Sequence, residues 1–122
     1  MSYNRATLIG RLTETPELKR TKSDIPVSTF SIAVDRPTAK GEEKVTDFIN
    51  IVCWRKAAEL VCRWFAKGDM VGIEGKINTR KYEDKNGNKR TAFEVVADSV
   101  FFVGGNKKAG KEVDDEPPFD YK

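Results

Sequence analysis

A chain of 122 residues has room for one domain with a real core and is too short for two ordinary ones. Charged residues make up 34% of it and divide unevenly: residues 1–110 carry 20 Lys+Arg against 14 Asp+Glu, residues 111–122 carry 2 against 5. No apolar run is long enough to cross a membrane, the lack of His removes the commonest general base and metal ligand, and a basic body with an acidic tip points to a polyanionic partner.

Residues 4–12 read as a first strand, with no long apolar run before Arg11, so no secretory signal is expected. Thr15-Pro16-Glu17 interrupts the strand, and residues 18–21 resume it beyond a bend. Ser23-Asp24-Ile25-Pro26 is a turn signal. Residues 27–35 form a second strand, with Phe30, Ile32 and Val34 on one side and Thr29, Ser31 and Ala33 on the other. Residues 36–44 hold Pro37, Gly41 and five charges, which fits a solvated loop or an arm that orders on a ligand. The third strand is Thr46-Asp47-Phe48-Ile49-Asn50-Ile51-Val52-Cys53-Trp54. Its alternation puts Ile49, Ile51 and Cys53 on a core face and Phe48, Asn50, Val52 and Trp54 on the other.

Ala57, Leu60, Val61, Trp64 and Phe65 recur at helical spacing over residues 55–67, with Gly68 placed as a C-terminal cap and Trp64 packed inward. Residues 70–82 are a long strand: Val71, Ile73 and Ile77 face inward, Gly75 allows a bend, and Glu74, Lys76, Asn78, Arg80 and Tyr82 face out. Asp84-Lys85-Asn86-Gly87-Asn88 is a hairpin turn built on Asn-Gly, and residues 91–103 return as the last strand. Five strands with one helix between the third and fourth is the plan of an all-β OB-fold barrel. Cys53 and Cys62 lack zinc-site spacing and read as reduced thiols of a cytosolic chain. After Val103 the composition shifts to Gly and Lys, so residues 1–104 form the domain and 105–122 a flexible linker with an acidic tail.

The face bearing Phe48 and Trp54 suits a second packed layer, a subunit interface or a platform for flat ligands. The strand bearing Lys76, Arg80 and Tyr82 tips the balance. Cations interleaved with a ring suit a single strand of nucleic acid, whose phosphates pair with the cations while unstacked bases lie on the rings. Arg5, Arg11, Arg55 and Lys56 extend the electrostatic track. In the tail, Asp114, Asp115 and Glu116 precede Pro117, Pro118 and Phe119, a stiffened segment presenting a ring beside carboxylates. It suits a partner with an apolar pocket rimmed by Lys or Arg.

These residues resemble the bacterial-type single-stranded DNA-binding proteins. Asn4-Arg5, Leu8-Ile9-Gly10-Arg11-Leu12, Thr15-Pro16-Glu17-Leu18, Asp47-Phe48-Ile49-Asn50, Trp54-Arg55-Lys56-Ala57-Ala58-Glu59, Lys67-Gly68, Ile73-Glu74-Gly75 and Thr79-Arg80-Lys81-Tyr82 fall in that family's order and spacing. The resemblance implies base stacking on Phe48, Trp54 and Tyr82. It implies phosphate contacts at Arg5, Arg11, Arg55, Lys56, Lys76, Arg80 and Lys81, and also at Arg36, which stands where some members place another ring and can itself stack or pair with phosphate. It further implies a homotetramer, a role in replication, recombination and repair, a cytoplasmic, nucleoid-associated location, and DNA-processing proteins recruited by the tail. Family tails finish on Pro-Phe, whereas Asp120-Tyr121-Lys122 follow Phe119 here. That departure and the short linker suggest a phage, plasmid or accessory version with altered tail docking.

Two rival readings share the fold: an interaction subunit of the primosome-accessory kind, with the rings in an interface, and an RNA-binding OB domain. An enzyme is not expected, because no nucleophile is paired with a base and no metal constellation is gathered. No cofactor is expected either.

Overall fold

The structure, a computed structural model, describes residues 1–104. Its elements are β1 (Ala6–Leu12), β2 (Lys19–Arg20), β3 (Pro26–Asp35), β4 (Thr46–Trp54), α1 (Arg55–Trp64), β5 (Met70–Glu83) and β6 (Lys89–Phe102). The strand order is β1-β5-β6-β4-β3-β2, and β1 also pairs with β3 through Arg11↔Ala33 and Leu12↔Ile32. That second pairing closes the sheet into the OB-fold barrel. The two-residue β2 does not resume β1 but lies against the start of β3. Counting it, the helix comes after β4; among the long strands it still follows the third.

Alternation decides what is buried. Leu12, Phe30, Ile32, Ile51, Cys53, Val71, Ile73 and Val95 point into the barrel, and α1 closes it with Ala58, Leu60 and Val61. Trp64 packs partly against this core as its spacing requires, with the Arg63 guanidinium 5.3 Å from its ring centroid. Val52 departs from its expected polar-side exposure: it is buried on the outer face, where its ladder partner is Val96.

The helix is three residues shorter than its apolar spacing predicts. Phe65 is extended (φ −124°, ψ 149°), which turns its ring into the core edge-on to Phe102, centroids 4.8 Å apart. Burying a ring outweighs one more turn of weakly held helix. Gly68 is therefore no helix cap. At φ 90° it sits in the turn before β5, and its N–H donates to the Leu12 carbonyl.

β5 and β6 pair along their whole length, but β1 accompanies β5 only as far as Ala6↔Gly75. Beyond that point β5 and β6 run on as a ribbon, and Lys76–Glu83 are all exposed. Ile77, expected inward, keeps the inward parity opposite Val95 yet is 39% exposed, because the core ends before it. At Gly75 the register shifts: Glu74 pairs Ser99 and Gly75 pairs Ala97, leaving Asp98 as a bulge. The hairpin turn is as expected, with Gly87 at φ 81° and Asp84 Oδ1 accepting the N–H groups of Asn86 and Asn88.

Candidate nucleic-acid interface

Residues opposite one another in a ladder project from the same face. Val52 pairs Val96, and Val96 pairs Lys76, so the outer residues of β4, β6 and β5 form one continuous surface. From that row β4 carries Asn50 and Phe48 in one direction, the direction in which β5 carries Asn78, Arg80 and Tyr82 and β6 carries Glu94 and Ala92. Trp54 lies two residues the other way. Four strand residues cover roughly 13 Å and two strand spacings roughly 10 Å, dimensions of a groove rather than a pocket. Phe48, Trp54 and Tyr82 are 68%, 42% and 45% exposed on it. On the other side of Phe48, its partner Ala33 also pairs Arg11, which brings Arg11 onto the same outer surface.

The predicted cations fall into two groups. The first already has partners. Arg5 Nη1 lies 3.0 Å from Asp98 Oδ2, with Glu74 at 3.9 Å, so it ties the N-terminal segment to the bulge. Arg11 donates to the Gly68 carbonyl at 3.1 Å. Arg80 Nε is 3.6 Å from Glu94 Oε1, while Glu94 Oε2 accepts from Asn78 Nδ2. Arg36 is gripped by Asp47, which accepts from both Nε and Nη2 at 3.0 Å. That hydrogen bonding holds the Asp47 carboxyl below its usual range and raises Arg36. The second group is Arg55, Lys56, Lys76 and Lys81, which have no ion pair among the described residues.

Local geometry sets the direction of this second group. Arg55 opens α1 with φ 56°, a left-handed conformation uncommon outside glycine, which turns the chain sharply after Trp54. Lys81 alternates to the far side of the ribbon, away from Arg80 and Tyr82. At the tip, Asp84 is held below its usual range first by Arg90 Nε at 2.8 Å and then by the backbone N–H of Asn88.

Sequence reasoning missed the carboxylates Asp47, Glu94 and Asp98 that occupy the arginines. Only Glu94 carried a signal: it falls opposite Asn78 once the hairpin is folded about Asn86-Gly87. It also missed Phe93, 51% exposed on the ribbon's other face. Asp114, Asp115, Glu116, Pro117, Pro118 and Phe119 lie outside the described residues. Among the described residues no cluster of acidic or Cys side chains could hold a metal, and no helix is long and apolar enough to cross a membrane.

The profile described as the Single-strand binding protein family matches residues 3–103. The chain belongs to this family. Three similar relatives illustrate the range. Single-stranded DNA-binding protein 2 of Listeria monocytogenes is 46% identical over 101 residues, 82% of this chain and 63% of the relative. The Single-stranded DNA-binding protein of Clostridium tetani is 48% identical over 108 residues, 87% of this chain and 74% of the relative. That of Halalkalibacterium halodurans is 42% identical over 115 residues, 91% and 68%. The chain thus spans less than two thirds of the Listeria protein's length.

Proposed function

We propose that this chain binds single-stranded DNA without regard to sequence, coating and protecting it in replication, recombination and repair. The observation that carries the reading is the outer face of β4 and β5, where three exposed rings share one surface with Lys76 and Arg80 and no enclosed pocket is needed. Bases stack on Phe48, Trp54 and Tyr82; every base has a flat face, so such stacking tolerates any sequence. Arg11, Arg55, Lys56, Lys76 and Arg80 neutralise phosphates, joined by Arg5 and Arg36 when they leave their carboxylates and by Lys81 from the ribbon's other side. Family membership and the names of the relatives support the same ligand.

The working form is a homotetramer. Its support is an apolar patch on the outer face: Ile9, half exposed, lies opposite Gly72, and the Phe101 ring covers Gly72 closely. Residues 1–104 bind DNA, and the acidic tail 105–122 recruits DNA-processing proteins through Asp114, Asp115, Glu116, Pro117, Pro118 and Phe119, in the cytoplasm at the nucleoid. The test is a Trp-fluorescence titration with oligo-dT of graded length at two salt concentrations. Strong quenching and affinity falling with salt are expected, because neutralised phosphates release their counterions. Failure to retain oligo-dT at low ionic strength overturns the proposal.

A further inference from the structure

We propose that Asp47 is an internal competitor for DNA phosphate at Arg36. The inference rests on the single-strand-binding reading and adds a determinant of affinity to it. Asp47 accepts two parallel N–H bonds from the Arg36 guanidinium, both 3.0 Å. This fork-on-carboxylate geometry is the one in which arginine grips a phosphate, so the carboxylate holds the guanidinium edge a phosphodiester would take.

Backbone placement makes the competition local. The Arg36 N–H donates to the Val45 carbonyl at 2.9 Å, which fixes the arginine backbone at the base of the loop while its side chain lies open to solvent. Asp47 is the ladder partner of Val34, so it projects from the opposite side of β4 to Phe48, the side on which Arg36, two residues beyond Val34, also lies. Thr46, on Phe48's side, is bonded instead to Asp35 at 2.7 Å and does not compete for Arg36.

Exposure makes the pair exchangeable. The Arg36 and Asp47 side chains are 61% and 41% exposed, and ion pairs in that setting hold weakly and are screened by salt. Asp47 nevertheless stays ionised at neutral pH, since the Arg36 hydrogen bonds hold its carboxyl below the usual range. Each phosphate that captures Arg36 therefore releases a carboxylate, which takes up a counterion and offsets the one leaving the DNA. The wild-type salt dependence consequently under-reports Arg36.

The test uses the full chain and oligo-dT in a double-variant cycle across several salt concentrations, with thermal melts to verify folding. Asp47→Asn is expected to tighten binding several-fold at low salt. It should also steepen the plot of log K against log salt by roughly 0.7, the share of one phosphate on a single strand. In an Arg36→Ala background the same Asp47→Asn change should leave affinity and slope where Arg36→Ala alone puts them. If the gain persists there, it is only the removal of one negative charge and the proposal falls. Wild-type binding with affinity and slope unaltered by Asp47→Asn sinks it as well, leaving the single-strand-binding reading intact. A wild-type chain that retains no oligo-dT at low ionic strength overturns both.

Discussion

Leaving an aromatic ring in water forgoes the stabilisation its burial would bring, about 25 cal/mol for each Å² of apolar surface. Phe30 and Phe65 realise that gain in the core, whereas Phe48, Trp54 and Tyr82 do not. The difference is parity: on β4, Ile51 and Cys53 are fully enclosed while Phe48 and Trp54 face out. We expect Phe48→Ala, Trp54→Ala and Tyr82→Ala each to weaken oligo-dT binding by about tenfold or more, in line with roughly 1–3 kcal/mol per stacked base. Their melting temperatures should stay close to wild type, since no core contact is lost. Identical titration curves for all three variants would contradict the stacking assignment. Phe93 is a warning against counting every exposed ring, because the register puts it on the ribbon's other face.

The β5–β6 pair is the element that shapes the surface. Gly75 was legible as a place where the long strand bends, and the structure adds a close approach: a Cβ there would collide with the Val96 carbonyl, where the Asp98 bulge brings two backbones together. Backbone cannot yield as a flexible side chain can. Gly75→Ala should therefore cost about 1–3 kcal/mol and lower Tm by about 10 °C, as read by thermal melting; an unaltered Tm would show that the bulge can relax. The ends of elements were less legible. Helical spacing continues through Phe65, but the helix stops at Trp64 because the Phe65 ring reaches the core only from extended backbone. Ile77 fits the inward pattern and is exposed because β1 has ended.

At the scale of the whole barrel, enclosure changes the chemistry of Cys53, whose thiol is pushed up to about 12, chiefly by burial. A raised folded-state value means the thiol's contribution to stability is fully present below the unfolded value of 9.0 and is lost as pH rises from there towards 12. Stability measured by urea denaturation should fall across that window, and less steeply in Cys53→Ala when each is referred to its own value at pH 8. At pH 8 the native protein should alkylate at Cys62 alone, with Cys53 reacting only after unfolding. Modification of both thiols in the native protein would contradict the enclosure of Cys53.

What the sequence determined by itself was whatever depends on near neighbours along the chain. Period-two alternation in β3, β4 and the first half of β5, helical spacing in α1 and the Asn86-Gly87 turn each follow from backbone geometry repeated locally. The order of strands and helix then leaves the OB-fold as the plan. Only the tertiary structure decided where the core stops along a patterned strand, which outward faces join into one surface, and which carboxylate meets which arginine. Those are relations between segments distant in the chain, such as Arg5 with Asp98 or Val52 with Val96. They are set by barrel closure and strand register, which no local pattern encodes.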